Sequence, residues 1–162
     1  MGAISTISFS VEALGGYKPA ICAVVPLVDG VLMTDLVAAF EESQHFDLVG
    51  GYGGLIPRFF NYGSFDHYFN GCFEPGSYWE QLHGIYVLGC DCGEVGCWPL
   101  FCRIRMGENT VAWEGFKQPH RPERDYSSFG PFVFDAKQYR DTVAKLQMEI
   151  ASQNSADSNH PD

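Results

Sequence analysis

Three thiols fall within eight residues in the segment Gly89-Cys90-Asp91-Cys92-Gly93-Glu94-Val95-Gly96-Cys97-Trp98-Pro99-Leu100. On an extended chain side chains alternate, so Cys90 and Cys92 point to one face. Glycines at 89, 93 and 96 allow the backbone to fold back and carry Cys97 toward that pair. A group of thiolates suits zinc, which takes four tetrahedral ligands. Three thiols leave one place, for which His120, Cys102, Cys72 and His83 compete. His120 is favoured, because the hairpin after the segment returns the chain toward it. The predicted metal ligands are therefore Cys90, Cys92, Cys97 and His120, with zinc as the candidate ion. The spacing C-x-C-x4-C is not the C-x2-C knuckle of paired zinc elements, and no iron–sulfur spacing is evident. Two other readings of the same thiols stand beside this one. They can pack as small hydrophobes in a Gly-Cys turn, or Cys92 or Cys97 can act as a nucleophile with His120 as base. A Cys90–Cys92 disulfide would close a small strained ring and is not expected.

A second dense patch is Gln118-Pro119-His120-Arg121, followed by Arg124, Asp125 and Tyr126. Arg121 and Arg124 can hold a carboxylate or phosphate, or pair with Glu123 and Asp125 at the surface.

The elements that must position these groups follow from periodicity. In Ile4–Leu14, Ile7, Phe9 and Val11 alternate with Thr6, Ser8 and Ser10, the pattern of a half-buried strand. Gly15-Gly16 breaks it, and the apolar run Ala20–Leu27 reads as its partner strand. Asp29-Gly30 is a turn. Thr34 is placed to cap a helix to about Ser43, with Leu36, Val37 and Phe40 on its apolar face. Phe46–Tyr78 has neither period and reads as a long irregular connection with aromatic anchors. Gly84–Leu88 is strand-like. Leu100–Met106 and Val111–Phe116 form a hairpin around Gly107-Glu108-Asn109, with Cys102 facing the core beside Ile104 and Met106. Asp135 caps a last helix, Gln138 takes the capping-box position, and Tyr139, Val143, Leu146 and Ile150 make its apolar stripe. The fold class predicted is α+β: an antiparallel sheet of about five or six strands with two helices on one face. Residues 1–151 make a single domain, and 152–162, rich in Ser, Asn and Asp, a disordered tail.

Composition narrows the partners. Apolar residues are 46% of 162, enough for a core. The net charge of -10, with only ten Lys and Arg, argues against nucleic acid and anionic lipid. It favours a basic protein partner by electrostatic steering. No apolar run nears the ~18 residues of a membrane span. The N-terminus lacks a secretory leader pattern. The six cysteines therefore read as reduced thiols in a cytoplasmic setting.

Leu88-Gly89-Cys90-Asp91-Cys92-Gly93 with Gly96-Cys97-Trp98-Pro99-Leu100 forms one motif. Val111-Ala112-Trp113 with Phe116-Lys117-Gln118-Pro119-His120-Arg121 forms a second, and Gly130-Pro131-Phe132-Val133-Phe134-Asp135 with Gln138-Tyr139 a third. Together with Val28-Asp29-Gly30-Val31-Leu32, these resemble a family of uncharacterised bacterial proteins carrying CxCGxxGCWPL, QPHR and GPFxFDxxQY. The resemblance spans about Pro26 to Leu146. It implies a bacterial, cytosolic protein and no particular reaction. The functional expectation is a Cys/His metal-binding or structural-cysteine module without catalytic activity. The alternatives are an acidic protein-binding module of the immunity or antitoxin kind, and a thiol-dependent enzyme.

Overall fold

The computed structural model describes residues 3–17 and 21–158, with side chains to residue 152. Its strands are β1 (Ile4–Ser5), β2 (Ile7–Leu14), β3 (Ile21–Val28), β4 (Val31–Leu32), β5 (Tyr52–Gly53), β6 (Ile85–Cys90), β7 (Leu100–Met106), β8 (Thr110–Lys117) and β9 (Phe132–Asp135). Its helices are α1 (Met33–Ser43), α2 (Phe65–Phe69), α3 (Tyr78–Leu82) and α4 (Ala136–Ser158), with a 3-10 turn at Val95–Cys97. The class is α+β as predicted. The strands divide into a six-stranded sheet, β1-β9-β8-β7-β6-β5, and a separate three-stranded one, β2-β3-β4. All pairings are antiparallel except β1 with β9.

The first strand predicted by alternation is broken at Thr6, where the chain changes sheets. Asp29, in the β3–β4 turn with φ 51°, accepts the Thr6 N–H at 2.8 Å. The Asp29 N–H returns a bond to the Thr6 carbonyl at 2.8 Å. Beyond that clamp β2 pairs with β3 along its whole length, from Ile7 opposite Val28 to Leu14 opposite Ile21. The predicted start of the second strand, Ala20, lies outside the described residues.

Helix α1 begins at Met33, and no side chain caps it. The predicted cap, Thr34, is already inside the helix, because β4 pairs with β3 and runs straight into the first turn. The start is therefore set by strand pairing and not by a capping oxygen. At the other end of the chain Asp135 does cap α4, accepting the Gln138 N–H at 3.0 Å. Gln138 does not close a capping box. Its amide reaches β2 instead, accepting the Ile7 N–H at 3.1 Å and donating to the Ile7 carbonyl at 2.7 Å. A side-chain amide presents the same donor and acceptor as a strand neighbour, and here it satisfies backbone that no strand covers. Tyr139, Val143, Leu146 and Ile150 are all buried, as their spacing predicts. The α4 backbone stays helical to Ser158, past residue 152, where polar composition sets the predicted tail. Residues 159–162 lie outside the described set.

The stretch read as an irregular connection holds β5 and α2, and ends where α3 begins. Ser64 and Ser77 cap α2 and α3 by accepting the His67 and Glu80 N–H groups. Helices of five residues are too short to display a 3.6-residue period, which is why periodicity passes over them. Their rings fill the core: Phe65, Tyr68, Phe69 and Trp79 are buried. Tyr139 bridges to this layer, accepting from Trp113 Nε1 at 2.9 Å and donating to the Phe69 carbonyl at 2.5 Å.

Strand β6, Ile-Tyr-Val-Leu-Gly-Cys, is buried from Ile85 to Gly89 and delivers Cys90 at the sheet's end. It lies between β7 and the two-residue edge strand β5, with Tyr52 opposite Cys90 and Gly53 opposite Gly89. A Cβ on Gly89 would sit 3.0 Å from Val95 Cα. Only glycine lets the 3-10 turn fold back onto the strand at that distance.

Candidate metal site

The fold-back over Gly89 closes the cysteine loop. Gly93 turns the chain with φ 103°, and the Gly93 N–H bonds the Cys90 carbonyl at 3.0 Å. The 3-10 turn then brings Cys97 round. The ligand atoms of Cys90, Cys92 and Cys97 all lie within 4.8 Å of one another. Sulfurs around one tetrahedral zinc with bonds of ~2.3 Å stand about 3.8 Å apart. The three can therefore hold a metal ion with small rotamer adjustments. Among the described residues this is the one group of three or more His, Cys, Asp and Glu ligand atoms gathered so closely.

Backbone N–H groups point at the sulfurs. The Cys92 N–H lies 3.5 Å from Cys90 Sγ. The Glu94 N–H, with help from the Cys90 thiol, holds the Cys92 thiol below its ordinary pKa. Burial pushes Cys90 the other way, up to about 12, and its bonds to the Cys92 and Cys97 sulfurs add to the rise. The contrast follows because hydrogen bonds received by a sulfur favour its thiolate and burial disfavours it. It gives an expected order of reactivity in metal-free protein. At neutral pH iodoacetamide should alkylate Cys92 several-fold faster than Cys90, since the thiolate is the nucleophile. Cys102 should stay unmodified until the protein unfolds. Peptide mapping by mass spectrometry reads all three, and equal rates at Cys90 and Cys92 would contradict the assignment.

His120 stands beside the cluster and is not one of the gathered ligands. Its Nε2 lies 2.7 Å from the Gly96 carbonyl. A carbonyl can only accept, so Nε2 carries the proton. The ring is parallel to Trp98 within 10°. Its backbone N–H donates to Gln118 Oε1 at 3.0 Å. His120 is thus the neighbour across the hairpin that the sequence led us to expect. Its contact fixes the carbonyl preceding Cys97 and leaves its Nε2 no bond to a thiol. The other contenders are elsewhere. Cys102 is fully buried, with burial raising its thiol pKa. The Cys72 thiol donates to the Asn70 carbonyl at 3.7 Å, and His83 ends α3 with φ 56°.

Behind the loop lies a polar network that sequence reasoning missed. Glu41 of α1 is 0% exposed. Its carboxylate accepts from Tyr52 at 2.8 Å, Tyr126 at 2.5 Å, Arg124 at 3.1 Å and the Gly50 N–H at 2.8 Å. Arg124, whose side chain is 3% exposed, also donates to the Leu48 carbonyl and Asp47, and its guanidinium lies over Phe46 at 4.7 Å. Burial and the Glu41 carboxylate together raise Tyr126 to about 12. Gln118 joins this network to His120, donating to Tyr52 Oη at 3.0 Å. Trp98 joins it to the cysteine loop, donating to the Gly50 carbonyl at 2.9 Å. Arg124 is therefore not a surface partner of Glu123 or Asp125. Arg121 lies over Trp98 at 5.1 Å. One signal was readable: Met33, Val37 and Glu41 fall at i, i+4 and i+8, which puts an acidic residue on the buried stripe of α1.

Among the described residues no helix is long and apolar enough to cross a membrane. The chain matches no protein-family model, no curated protein and no solved structure.

Proposed function

We propose that this protein is a metal-binding module in which Cys90, Cys92 and Cys97 hold a zinc ion as thiolates. The observation that carries the reading is the convergence of three sulfurs within 4.8 Å on a loop whose own N–H groups are aimed at sulfur. Three soft donors select a borderline or soft ion over magnesium or calcium, and zinc is the abundant ion of that kind. His120 supports the site from outside by fixing the Gly96 carbonyl, as residues one step beyond metal ligands commonly do. The role proposed is binding of the ion by these three thiolates.

Elemental analysis of purified protein should find about one zinc per chain. A strong chelator should lower the melting temperature. With free zinc at a thousand times Kd, linkage gives about 4 kcal/mol. For a chain of this size that corresponds to roughly 8–16 °C. Metal-free protein whose melting is unchanged by zinc or chelator would refute the proposal.

A further inference from the structure

Structural zinc sites are closed by four protein ligands, whereas sites that take exogenous ligands keep one position free. Here three thiolates converge and no fourth ligand atom joins them among the described residues. Cys92 and Cys97 are exposed. A groove of about 500 Å³ opens directly from Cys92 and is lined by Phe59, Phe60, Glu94, Val95 and Gly96. Phe59 and Phe60 are large apolar rings left 44% and 37% exposed. Phe59 packs over the Gly93 turn, where an added Cβ would meet its ring at 3.2 Å. The ring is thus held against the loop that carries the sulfurs.

Charge selects among ligands for such a position. A divalent ion with three thiolates carries a formal charge of about -1, and Asp91 and Glu94 of the same loop add to it. A carboxylate or phosphate would be repelled, and a fourth thiol would have to lose a proton to bind, deepening the charge. A neutral imidazole or pyridine nitrogen adds none and is a good zinc donor. Its flat ring also suits a groove walled by two phenyl groups, where offset and edge contacts are favoured.

We infer that the fourth position of the metal is exchangeable and binds a small neutral aromatic nitrogen base, seated between the cysteine loop and Phe59 and Phe60. The inference rests on the three-thiolate reading above. The step is a substitution in which the base lone pair forms a bond to the metal and a water leaves, with no change of oxidation state.

Cobalt(II) loaded in place of zinc reads both layers separately. Sulfur-to-cobalt charge transfer reports the thiolates, and the visible ligand-field bands report the fourth ligand. Titration with 4-phenylimidazole, imidazole and benzoate should shift those bands with the first two and not with the third. 4-Phenylimidazole should bind about tenfold more tightly than imidazole, the gain expected for partial burial of one phenyl ring. The Phe59→Ala/Phe60→Ala double variant, altering exposed rings, should keep the charge-transfer bands and lose most of that preference. Absent charge transfer would overturn the metal reading and this one together. Charge transfer with no band shift from either base would overturn only the exchangeable position. So would base binding that appears only in His120→Ala, since His120 would then be the occupant. Equal affinities for the two bases, unaltered in the double variant, would overturn the seat between the rings.

Discussion

Replacing Glu41 with alanine should destabilise this protein by about 3–5 kcal/mol, the penalty for leaving a buried charge without its partner. The carboxylate is the acceptor for Tyr52, Tyr126, Arg124 and the Gly50 N–H at once. Its removal takes the buried counter-charge from a guanidinium whose side chain is 3% exposed, leaving it the exposed Asp47 carboxylate, the Leu48 carbonyl and Tyr126 Oη. Arg124 Nε already lacks a partner, and none of the remaining acceptors is a buried carboxylate. At this chain length the loss corresponds to a fall in melting temperature of roughly 6–20 °C. Arg124→Met should cost a comparable amount. The Glu41→Met/Arg124→Met pair should cost much less than the two singles added, because a buried ion pair replaced by apolar groups of similar size is often close to neutral. Urea unfolding of the four proteins measures the cycle. Singles within about 1 kcal/mol of the parent, or strict additivity, would show that the network does not hold the fold as argued.

The second large effect belongs to the sulfurs. Structural zinc binding is worth ~10–16 kcal/mol over four ligands, or about 2.5–4 kcal/mol for each. Serine at Cys90, Cys92 or Cys97 should therefore weaken zinc binding by roughly 10²- to 10³-fold. The cobalt charge-transfer absorbance should drop in proportion to the thiolates lost. His120→Ala should weaken binding by about 10- to 100-fold, the range for residues outside the ligand set, with the charge-transfer absorbance per cobalt unchanged. Serine at Cys102 or Cys72 should leave affinity as it is. Competition with a chromophoric chelator gives the affinities. Equal affinity for the three serine variants and the parent would end the assignment.

These two regions were unequally legible. The cysteine loop could be read because glycine spacing and side-chain alternation are local, although β5 and His120 also hold it from outside. The hairpin of β7 and β8 and the apolar stripe of α4 were legible for the same reason. Glu41 was obscured, its place on the Met33 and Val37 stripe outweighed by its local setting. It begins the run Glu41-Glu42-Ser43, which resembles an ordinary solvated helix end, and its partners lie up to 85 residues away. Gln138 looked like a capping residue because the capping pattern is local, while its real partner, Ile7, is 131 residues distant. The division into two sheets depends on Thr6 and Asp29 meeting, a contact that no period announces. His120 was predicted beside the loop from topology alone. Its bond to the Gly96 carbonyl is a matter of ångströms, which spacing does not specify.

The clamp at Thr6 also bears on cooperativity. The chain enters one sheet through β1 and the other through β2 with a single residue between them, and Gln138 ties the same point to α4. Neither sheet can detach while these bonds hold, so opening one half exposes the other. The molecule should lose its structure in one step and not as two foldons. Binding energy gained at the cysteine loop would then be felt by amides at the far edge of the three-stranded sheet.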